Sequence, residues 1–457
     1  MLQENNARLN ERLKSYVEDC RSTLNIPEDV YTHFNVKRGL RNADGTGVIA
    51  GATRISNVHG YFIDEYERVP AEGELLYRGY DIKDIINGCI AEDRFGFEEV
   101  VWLLLFGYLP DKPHLERFSA LLEELRELPD GFIEDMIIKA PSPNIMNKLG
   151  RSVLALYSYD DYAEDNSLEN IFRQSIELVA RISTIMVNAY QVKKRYYDHQ
   201  SLFFHAPISG LSIAENILST MRIDRQFTHE EARLLDICLM LHAEHGGGNN
   251  STFACRVLSS SGTDTYSAIA AAIGALKGPR HGGANIKVVE MMDALKAEIG
   301  DVYDDEQVTA ALRKVMNKEL GDGSGLIYGM GHAVYTMSDP RAQILKENCV
   351  MLADAKGYSD DFHLLDAIER LSPALLGDKK GVRGSICANV DLYSGLVYRM
   401  LEIPPELYTP LFAVARMAGW CAHRIEESVT CRRIIRPGYK SLCGDKKIYT
   451  SISERKQ

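Results

Sequence analysis

The sequence lacks any apolar run long enough to cross a membrane, and its N-terminal segment contains no apolar stretch of the kind that directs secretion. It also lacks an excess of positive charge, since 52 Lys and Arg stand against 64 Asp and Glu, for a net charge of -12. This balance disfavours non-specific binding to nucleic acid. The absences together predict a soluble protein that binds neither membrane nor nucleic acid.

No C-x-x-C pair occurs among the nine cysteines, which are scattered over 457 residues. A chain of this length, with 45% hydrophobic residues, can bury a core large enough to need no disulfide framework. Neither disulfides nor a zinc framework is therefore predicted. We expect a reducing, cytoplasmic location, and the length allows two or three domains.

Strand-like alternation is scarce, and its best example covers residues 47–63. Most of the chain instead has apolar residues at helical spacing, which predicts a nearly all-α protein. One helix begins at a capping box formed by Thr228 and Glu231, and the glycines at 246–248 are predicted to end it. Three further helices are predicted over residues 265–276, 285–299 and 409–427. A loop-rich segment, residues 377–391, is typical of a hinge or domain crossing.

Three of the twelve histidines, His245, His281 and His332, lie beside glycines at breaks between helices. Each alone could simply cap a helix, but three in the same setting favour a ligand site, because glycine lets backbone approach a ligand closely. His245 is predicted at a helix C-terminus, where the dipole favours a protonated ring that binds a carboxylate. His281 precedes a helix N-terminus, which favours a neutral ring able to hydrogen-bond a carbonyl becoming an enolate.

His242 and His245 also admit an interpretation as a metal pair, with Glu244 between them. Their spacing of three residues differs from the four of the metalloprotease motif, and no cysteine cluster offers further ligands. Packing within the helix is therefore the predicted role of His242.

Arg416 lies in an otherwise uncharged run, residues 411–422. A buried guanidinium needs an anionic partner, so Arg416 either binds a ligand, forms a structural salt bridge or extends its head to solvent. Arg341 and Arg436 are also consistent with solvated surface charges. Asp391 follows an apolar stretch at a predicted helix start, where a capping role is more common than a catalytic one.

Six segments, read in order, resemble the citrate synthase family: HAEHGGGNNSTF, GPRHGGAN, YGMGHAVYTMSDPR, ANVDLYSG, VARMAGW and RRIIRP. Two upstream segments, LLYRGYDIKDI and FEEVVWLLLFGYLP, are similar as well, so the resemblance extends from about residue 39 to the C-terminus. It implies an all-α, two-domain citrate synthase-like helical fold. The small domain, residues 286–390, is expected to be inserted in a large domain formed by residues 39–285 and 391–457. Residues 1–38 are expected to be an N-terminal helical extension at a dimer interface.

The resemblance implies condensation of acetyl-CoA with oxaloacetate and water to give citrate and CoA. His281 is expected to hydrogen-bond the thioester carbonyl, Asp391 to remove the methyl proton, and His332 to polarise the oxaloacetate carbonyl. The residues expected to hold the two oxaloacetate carboxylates are His245, Arg341, Arg416 and Arg436. In a homodimer, Arg436 is expected to reach the active site of the other subunit.

Further contacts are implied around this site. Asn249 and Ser251 match positions that hold the His281 ring. CoA is expected against the backbone of Ile327, Tyr328, Gly329, Met330 and Gly331. Neither a permanently bound cofactor nor a metal is expected. Lys379, Lys380 and Arg383 are candidates for the CoA phosphates, and a solvated basic loop is an equal alternative.

The sequence departs from the family pattern at Gly246, where most members have an acidic residue, and in residues 377–388, which are unusual in length and composition. The closest alternative is a 2-methylcitrate synthase that uses propionyl-CoA, since one methylene changes binding by only about 1–3 kcal/mol. A non-catalytic CoA or dicarboxylate sensor is another alternative, but the presence of both His281 and Asp391 favours an enzyme. A metal hydrolase is the third alternative.

Overall fold

The computed structural model describes residues 2–21, 24–42, 44–65, 67–300, 303–380, 386–430, 433–444 and 446–455. The chain forms two compact units, Met1–Ala50 with Arg436–Gln457 and Gly51–Ile435. The first unit contains helices α1 (Leu2–Arg21) and α2 (Glu28–His33), both within the predicted N-terminal extension. The division of the chain into a large and an inserted small domain stays a prediction.

The second unit begins with a small antiparallel sheet of strand order β1-β2-β3, formed by β1 (Ser56–Asp64), β2 (Glu67–Tyr77) and β3 (Tyr80–Asp81). Ser56 lies opposite Tyr77, and the pairing register shifts between His59 and Tyr61. The strand predicted over residues 47–63 is confirmed only from Ser56 onward.

Helices make up most of the second unit, which confirms the prediction of a nearly all-α protein. In chain order they are α3 (Ile82–Ala91), α4 (Phe97–Phe106), α5 (Lys112–Glu124), α6 (Ile145–Leu156), α7 (Leu168–Tyr197), α8 (Ile213–Met221), α9 (His229–His242), α10 (Asn250–Ser259), α11 (Thr265–Lys277), α12 (Ala284–Ile299), α13 (Asp305–Met316), α14 (Pro340–Lys356), α15 (Ser359–Lys380), α16 (Asp391–Met400) and α17 (Tyr408–Thr430).

Local signals predicted several helix ends well. Thr228 caps α9, and both halves of its capping box with Glu231 are formed. The predictions for α11 and α12 are also confirmed, and Gly300 ends α12 with a φ of 80°. Helix α17 begins at Tyr408, one residue before the predicted start.

Two predicted boundaries are wrong. Helix α9 ends at His242, before the glycines at 246–248. The loop predicted from residue 377 is helical as far as Lys380, because α15 continues through Gly377. Residues 381–385 of that predicted loop lie outside the described part of the chain.

Helix α17 forms the centre of the second unit. It packs against α4, α7, α9, α10 and α11, and all but one of residues 408–425 are buried. A helix that is apolar on all faces is stable only where neighbours cover every face. Its polar residues Arg416 and Trp420 therefore lie in the core. Among the described residues, no helix combines the length and the apolarity that crossing a bilayer requires.

Candidate active site

Several predicted site residues come together at breaks between the helices of the second unit. His245 follows the end of α9, His281 lies in the turn between α11 and α12, and Arg416 lies on α17. His332 belongs to the loop before α14, and Asp391 is the first residue of α16. Three different parts of the sequence thus contribute histidines to one region.

Arg416 is fully buried, and its guanidinium is largely unpaired. Its Nε donates to the carbonyl oxygen of His242 at 2.6 Å, and its plane lies over the Phe412 ring at 4.7 Å. Both Nη atoms are buried without a hydrogen-bond partner. Burial lowers the pKa of Arg416 to about 10, which leaves the group protonated at neutral pH. No carboxylate within the described chain forms a salt bridge with Arg416, and its guanidinium does not reach solvent. Two of the three interpretations, the structural salt bridge and the solvent-exposed head group, are therefore excluded.

Arg341 lies in the first turn of α14 and is also buried, which rules out the interpretation of Arg341 as a solvated surface charge. Its Nε and Nη2 donate to the two carboxylate oxygens of Asp339, at 3.0 and 2.7 Å. Burial alone would lower the pKa of Arg341, but the Asp339 carboxylate raises it. The bidentate pair fixes the guanidinium, because two parallel hydrogen bonds leave it no rotation.

His245 is buried beside His332, with ring centroids 5.2 Å apart, and its Nε2 lies 3.3 Å from the Tyr335 hydroxyl. The prediction of a protonated His245 is wrong. Burial, followed by the positive charge of Arg341 and by His332, lowers the pKa of His245 well below its ordinary value. The helix dipole is outweighed because it contributes only about 0.3–1 kcal/mol at most helix ends.

The His332 ring is oriented by its own loop. Its Nδ1 accepts hydrogen bonds from the backbone N–H groups of Val334, at 3.0 Å, and Tyr335, at 3.1 Å. An Nδ1 that accepts two donors carries no proton, so the proton of the neutral ring lies on Nε2. The Tyr335 ring stacks on His332 with centroids 4.7 Å apart. His332 is thereby prepared to donate one hydrogen bond from Nε2.

His281 is held through the Ser251 hydroxyl. The His281 Nε2 lies 3.1 Å from Ser251 Oγ, and this oxygen donates to the Asn249 side chain at 2.9 Å. Asn249 also caps α10 by accepting from the Ser251 N–H. Asn249 therefore supports His281 through Ser251. Burial, followed by the charge of Arg416, lowers the pKa of His281 to about 4, so the predicted neutral ring is confirmed.

Asp391 is not a helix cap. The N-cap position of α16 belongs to Val390, which makes no side-chain cap, and the Asp391 backbone N–H donates to Asn389 Oδ1 at 3.0 Å. Burial raises the pKa of the Asp391 carboxyl to about 6, against the opposing charges of Arg341 and Arg416. The carboxylate is thus available as a base at neutral pH.

The segment before His332 is paired with the segment before Asp391. Gly331 N–H donates to Cys387 O at 2.7 Å, and Asn389 N–H donates to Gly329 O at 2.8 Å. Gly329 has a φ of 81°, and a Cβ there would lie 2.8 Å from a Leu392 side-chain atom, so no other residue fits. This pairing ties the loop of His332 to the start of α16.

A buried acidic group stands close to the departure at Gly246. Glu244 Oε1 accepts from the Gly246 N–H at 2.5 Å, from His423 Nε2 at 3.0 Å and from Ser56 Oγ at 2.8 Å. Burial would raise the pKa of Glu244, but His423, followed by Arg416, lowers it to about 2. The site therefore contains a carboxylate anion at Glu244, which the sequence analysis did not predict.

His242 packs as predicted. Its ring is fully buried against Phe412, with centroids 4.3 Å apart, and neither ring nitrogen has a hydrogen-bond partner. Burial, followed by Arg341 and Arg416, lowers its pKa well below the ordinary value. His242 thus acts as an apolar side chain.

Some predicted residues are not described with this cluster. Arg436 belongs to the first unit, where it is exposed. The side chains of Lys379 and Lys380, and all of Arg383, lie outside the described part of the chain. Tyr328 donates to Asp322 Oδ2 at 2.7 Å, so its side chain is engaged within its own loop. The CoA role predicted for residues 327–331 stays a prediction.

Besides Glu244, two residues of the cluster were missed by the sequence interpretation. Tyr335 lies in the same motif as His332, three residues later, and contacts two histidines. Trp420 lies one helical turn after Arg416, and its Nε1 donates to Ser251 Oγ at 3.1 Å. Their nearness in sequence to predicted site residues was the only available signal.

Comparison with known proteins gives a consistent result. The family model described as "Citrate synthase, C-terminal domain" matches residues 41–438. The chain is 36% identical to a citrate synthase of Deinococcus radiodurans over 92% of its own length and 99% of that protein. A crystal structure of citrate synthase from Pyrobaculum aerophilum has a TM-score of 0.72 at 30% identity, covering 89% of this chain and 93% of that one. A citrate synthase of Thermoplasma acidophilum, in a ternary complex with carboxymethyl coenzyme A and oxaloacetate, has a TM-score of 0.73 at 27% identity, covering 92% and 99%.

Proposed function

This chain belongs to the citrate synthase family, and we propose that its buried cluster condenses the methyl carbon of acetyl-CoA with the keto carbon of oxaloacetate. The products are citrate and CoA. The observation that carries the proposal is the fully buried Arg416 guanidinium, whose two Nη atoms have no partner. The Glu244 and Asp391 carboxylates act on this cation only at a distance, and a ligand carboxylate would supply the hydrogen bonds that its two Nη atoms lack.

Oxaloacetate is a dianion, and its two carboxylates suit this region. Arg416 offers two unpaired donors, and Arg341 is held rigidly by Asp339. Guanidinium groups bind carboxylates in a bidentate manner, which fixes the substrate as well as attracting it. Burial and the charge of Arg341 hold the pKa of His245 low; two carboxylates beside the ring would raise it and favour the protonated form that binds a carboxylate.

The first chemical step removes a proton from the acetyl methyl group, which is a very weak acid. Asp391 takes this proton on its carboxylate, while a hydrogen bond from neutral His281 stabilises the negative charge developing on the thioester oxygen. The pKa of Asp391, raised to about 6, suits a base that works at neutral pH. The low pKa of His281, about 4, keeps that ring a neutral donor.

The second step forms the new carbon–carbon bond. The enolate carbon attacks the keto carbon of oxaloacetate, and the keto oxygen becomes an alkoxide that accepts a hydrogen bond from His332. The Nδ1 of His332 accepts from two backbone donors, so the proton of the neutral ring is on Nε2, and this N–H is the proposed donor. Water then hydrolyses the thioester and releases CoA.

The CoA moiety is proposed to bind against the backbone of residues 327–331. Gly329 and Gly331 both have left-handed backbone angles, with φ of 81° and 91°, so this segment has the turns that let backbone groups approach a ligand. Binding of oxaloacetate before CoA, with closure of a small domain over residues 286–390, would exclude water from the enolate.

A homodimer is proposed for the first unit. Several of its apolar side chains are more than 80% exposed, which is unusual for a monomer surface. These are Ile49, Tyr439, Ile448, Tyr449 and Ile452. A second copy would cover them, and two-fold symmetry would let each chain lend Arg436 to the other. A cytoplasmic location is also proposed, in keeping with the eight described cysteines, which are free thiols.

The test is release of the CoA thiol from acetyl-CoA and propionyl-CoA, each with and without oxaloacetate. We expect release that depends on oxaloacetate, with a higher kcat/KM for acetyl-CoA, and its loss in the control variant Asp391→Asn. Release independent of oxaloacetate would identify a thioesterase and overturn condensation. A higher kcat/KM for propionyl-CoA would identify a 2-methylcitrate synthase.

A further inference from the structure

Trp420 connects the core of α17 to His281 through a single hydroxyl. Its indole is fully buried, and Nε1 donates to Ser251 Oγ at 3.1 Å. The same oxygen lies 3.1 Å from Nε2 of His281. An indole has one donor and no acceptor, so the direction of its hydrogen bond is fixed.

This fixed direction limits what the Ser251 hydroxyl can do. A hydroxyl has one proton and two lone pairs, and Trp420 occupies one lone pair. The proton is left with two acceptors within reach, Asn249 Oδ1 at 2.9 Å and His281 Nε2 at 3.1 Å. Donation into the oxygen also strengthens the hydroxyl as a donor, because linked hydrogen bonds polarise one another. Donation of this proton to Asn249 would leave His281 Nε2 to donate to the Ser251 oxygen. Donation to Nε2 leaves the proton of the neutral His281 ring on Nδ1, the nitrogen that can then donate to the thioester carbonyl. With its oxygen held by Trp420, the hydroxyl stays within reach of Nε2.

The other tryptophan of the chain shows that an indole N–H need not be paired here. Trp102 is also buried, and its ring lies tilted against the Phe106 ring with centroids 4.2 Å apart, but its Nε1 has no hydrogen-bond partner. Trp102 thus serves as an apolar side chain. At Trp420, by contrast, the N–H is directed at a hydroxyl that touches a predicted catalytic histidine.

We propose that Trp420 is a positioning residue for the condensation: its indole N–H holds the Ser251 hydroxyl, which in turn holds the His281 ring towards the thioester carbonyl. The proposal rests on the function assigned to His281 above. Trp420 lies one turn after Arg416 on α17, so one rigid helix positions both the oxaloacetate-binding guanidinium and the support of His281. Cys255 Sγ also donates to the Trp420 carbonyl at 3.7 Å. This bond connects α10, the helix that contains Ser251, to α17 at Trp420.

The test is a double-mutant cycle of Trp420→Phe and Ser251→Ala, with Trp102→Phe as the matched control. We expect Trp420→Phe to lower kcat about 3–10-fold, the effect of one lost neutral hydrogen bond. The dissociation constant for oxaloacetate should not change. In the Ser251→Ala background, Trp420→Phe should have no further effect on kcat, because the group through which it acts is gone. Trp102→Phe should leave kcat unchanged.

Two outcomes would overturn the proposal. One is an unchanged kcat in Trp420→Phe, and the other is an equal loss in the presence and absence of the Ser251 hydroxyl, which would mean that packing alone matters. If Trp420→Phe does not fold, benzothienylalanine replaces the indole in a Trp102→Phe background, since sulfur keeps the ring shape and removes the donor. The same kcat loss is expected, and full activity would refute the hydrogen bond. His281→Ala, measured alongside, separates the two hypotheses, because retained turnover there would refute the function assigned to His281 itself.

Discussion

Two arginines on α17 are almost completely buried, yet they differ in their partners. Arg424 Nη2 donates to Asn166 Oδ1 at 2.5 Å and to the Thr263 carbonyl at 2.7 Å. Both Nη atoms of Arg416 lack partners. A guanidinium whose buried Nη atom donates to protein oxygens stabilises the fold, whereas one whose Nη atoms lack partners costs stability until a ligand binds. The two residues should therefore separate stability from substrate binding.

We predict that Arg416→Gln weakens oxaloacetate binding about 10–100-fold, the range expected when charged hydrogen bonds to a carboxylate are lost. Arg424→Gln should leave oxaloacetate affinity within about 2-fold and lower Tm by more than Arg416→Gln does. Titration calorimetry and thermal unfolding of both variants provide the measurement. Normal oxaloacetate affinity in Arg416→Gln would contradict its role in binding.

The pKa of Asp391 predicts the acid side of the pH profile. Because burial raises this pKa to about 6, kcat/KM should fall below pH 6 as the carboxylate gains its proton. Protonation of His281, with a pKa of about 4, occurs too low to account for such a fall. The measurement is kcat/KM for acetyl-CoA between pH 5 and pH 9. A profile that stays flat down to about pH 5 would contradict Asp391 as the base.

The same shift has a consequence for stability. The folded-state pKa of Asp391, about 6, lies above its ordinary value of 3.8. Its contribution to stability is thus complete below pH 3.8 and is lost as the pH rises through about 6. Asp391→Asn cannot ionise. The Tm of this variant minus the Tm of the unaltered protein should therefore be larger at pH 8 than at pH 5. Its turnover should fall about 10²–10⁴-fold. A Tm difference independent of pH would argue against the raised pKa.

At the scale of elements, the sequence predicted those helix ends that are determined by residues close in sequence. The capping box of Thr228 and the C-terminal Gly300 locate helix ends because each acts within one turn. Strand β2 was not predicted, because Pro70 and Gly73 interrupt its pattern and part of it packs against the distant residues 335–340. The lowered pKa of His245 was missed for the same reason, since burial and then Arg341, which is distant in sequence, produce it.

The sheet supports the loop of His332 through close backbone contact. Thr336 Oγ1 donates to the carbonyl oxygen of Gly60, and Gly73 N–H donates to Ser338 Oγ at 3.0 Å. A Cβ added at Gly60 would lie 2.7 Å from the Tyr335 Cα and 2.9 Å from the Val334 carbonyl oxygen. Both neighbours are backbone atoms, which cannot rotate away. The absence of a side chain at residue 60 thus allows the loop to lie where it does.

We predict that Gly60→Ala lowers both Tm and kcat, because the loop that orients His332 must shift. Overpacking costs about 1–3 kcal/mol in stability, and displacement of a catalytic group by about 1 Å can cost as much as 10²-fold in rate. Gly88→Ala is the matched control, since Gly88 lies in helix α3 with open space around it. That variant should keep kcat and gain a few degrees in Tm from better helix propensity. Full activity in Gly60→Ala would show that the sheet does not position His332.

At the scale of the whole molecule, the exposed Arg436 is predicted to complete the active site of a second copy. The prediction rests on the RRIIRP motif and on two-fold symmetry, in which each chain lends the same residue to the other. Arg436→Ala and Asp391→Asn should each be nearly inactive alone. A mixed dimer should have one site with intact Asp391 from one chain and intact Arg436 from the other, while its second site carries both defects.

Mixing the two variants under conditions that exchange subunits tests this directly. Random exchange makes about half of the dimers mixed, each with one whole site of two, so activity should recover to roughly a quarter of the unaltered level. The control is a mixture of Asp391→Asn and His281→Ala, two residues of the same cluster in one chain, which cannot restore a site by exchange. If Arg436 instead serves its own chain, the first mixture behaves like the control, because neither site of the mixed dimer is whole. Verified exchange without recovery would then remove the reason for requiring a dimer, since each chain would hold a complete set of catalytic residues.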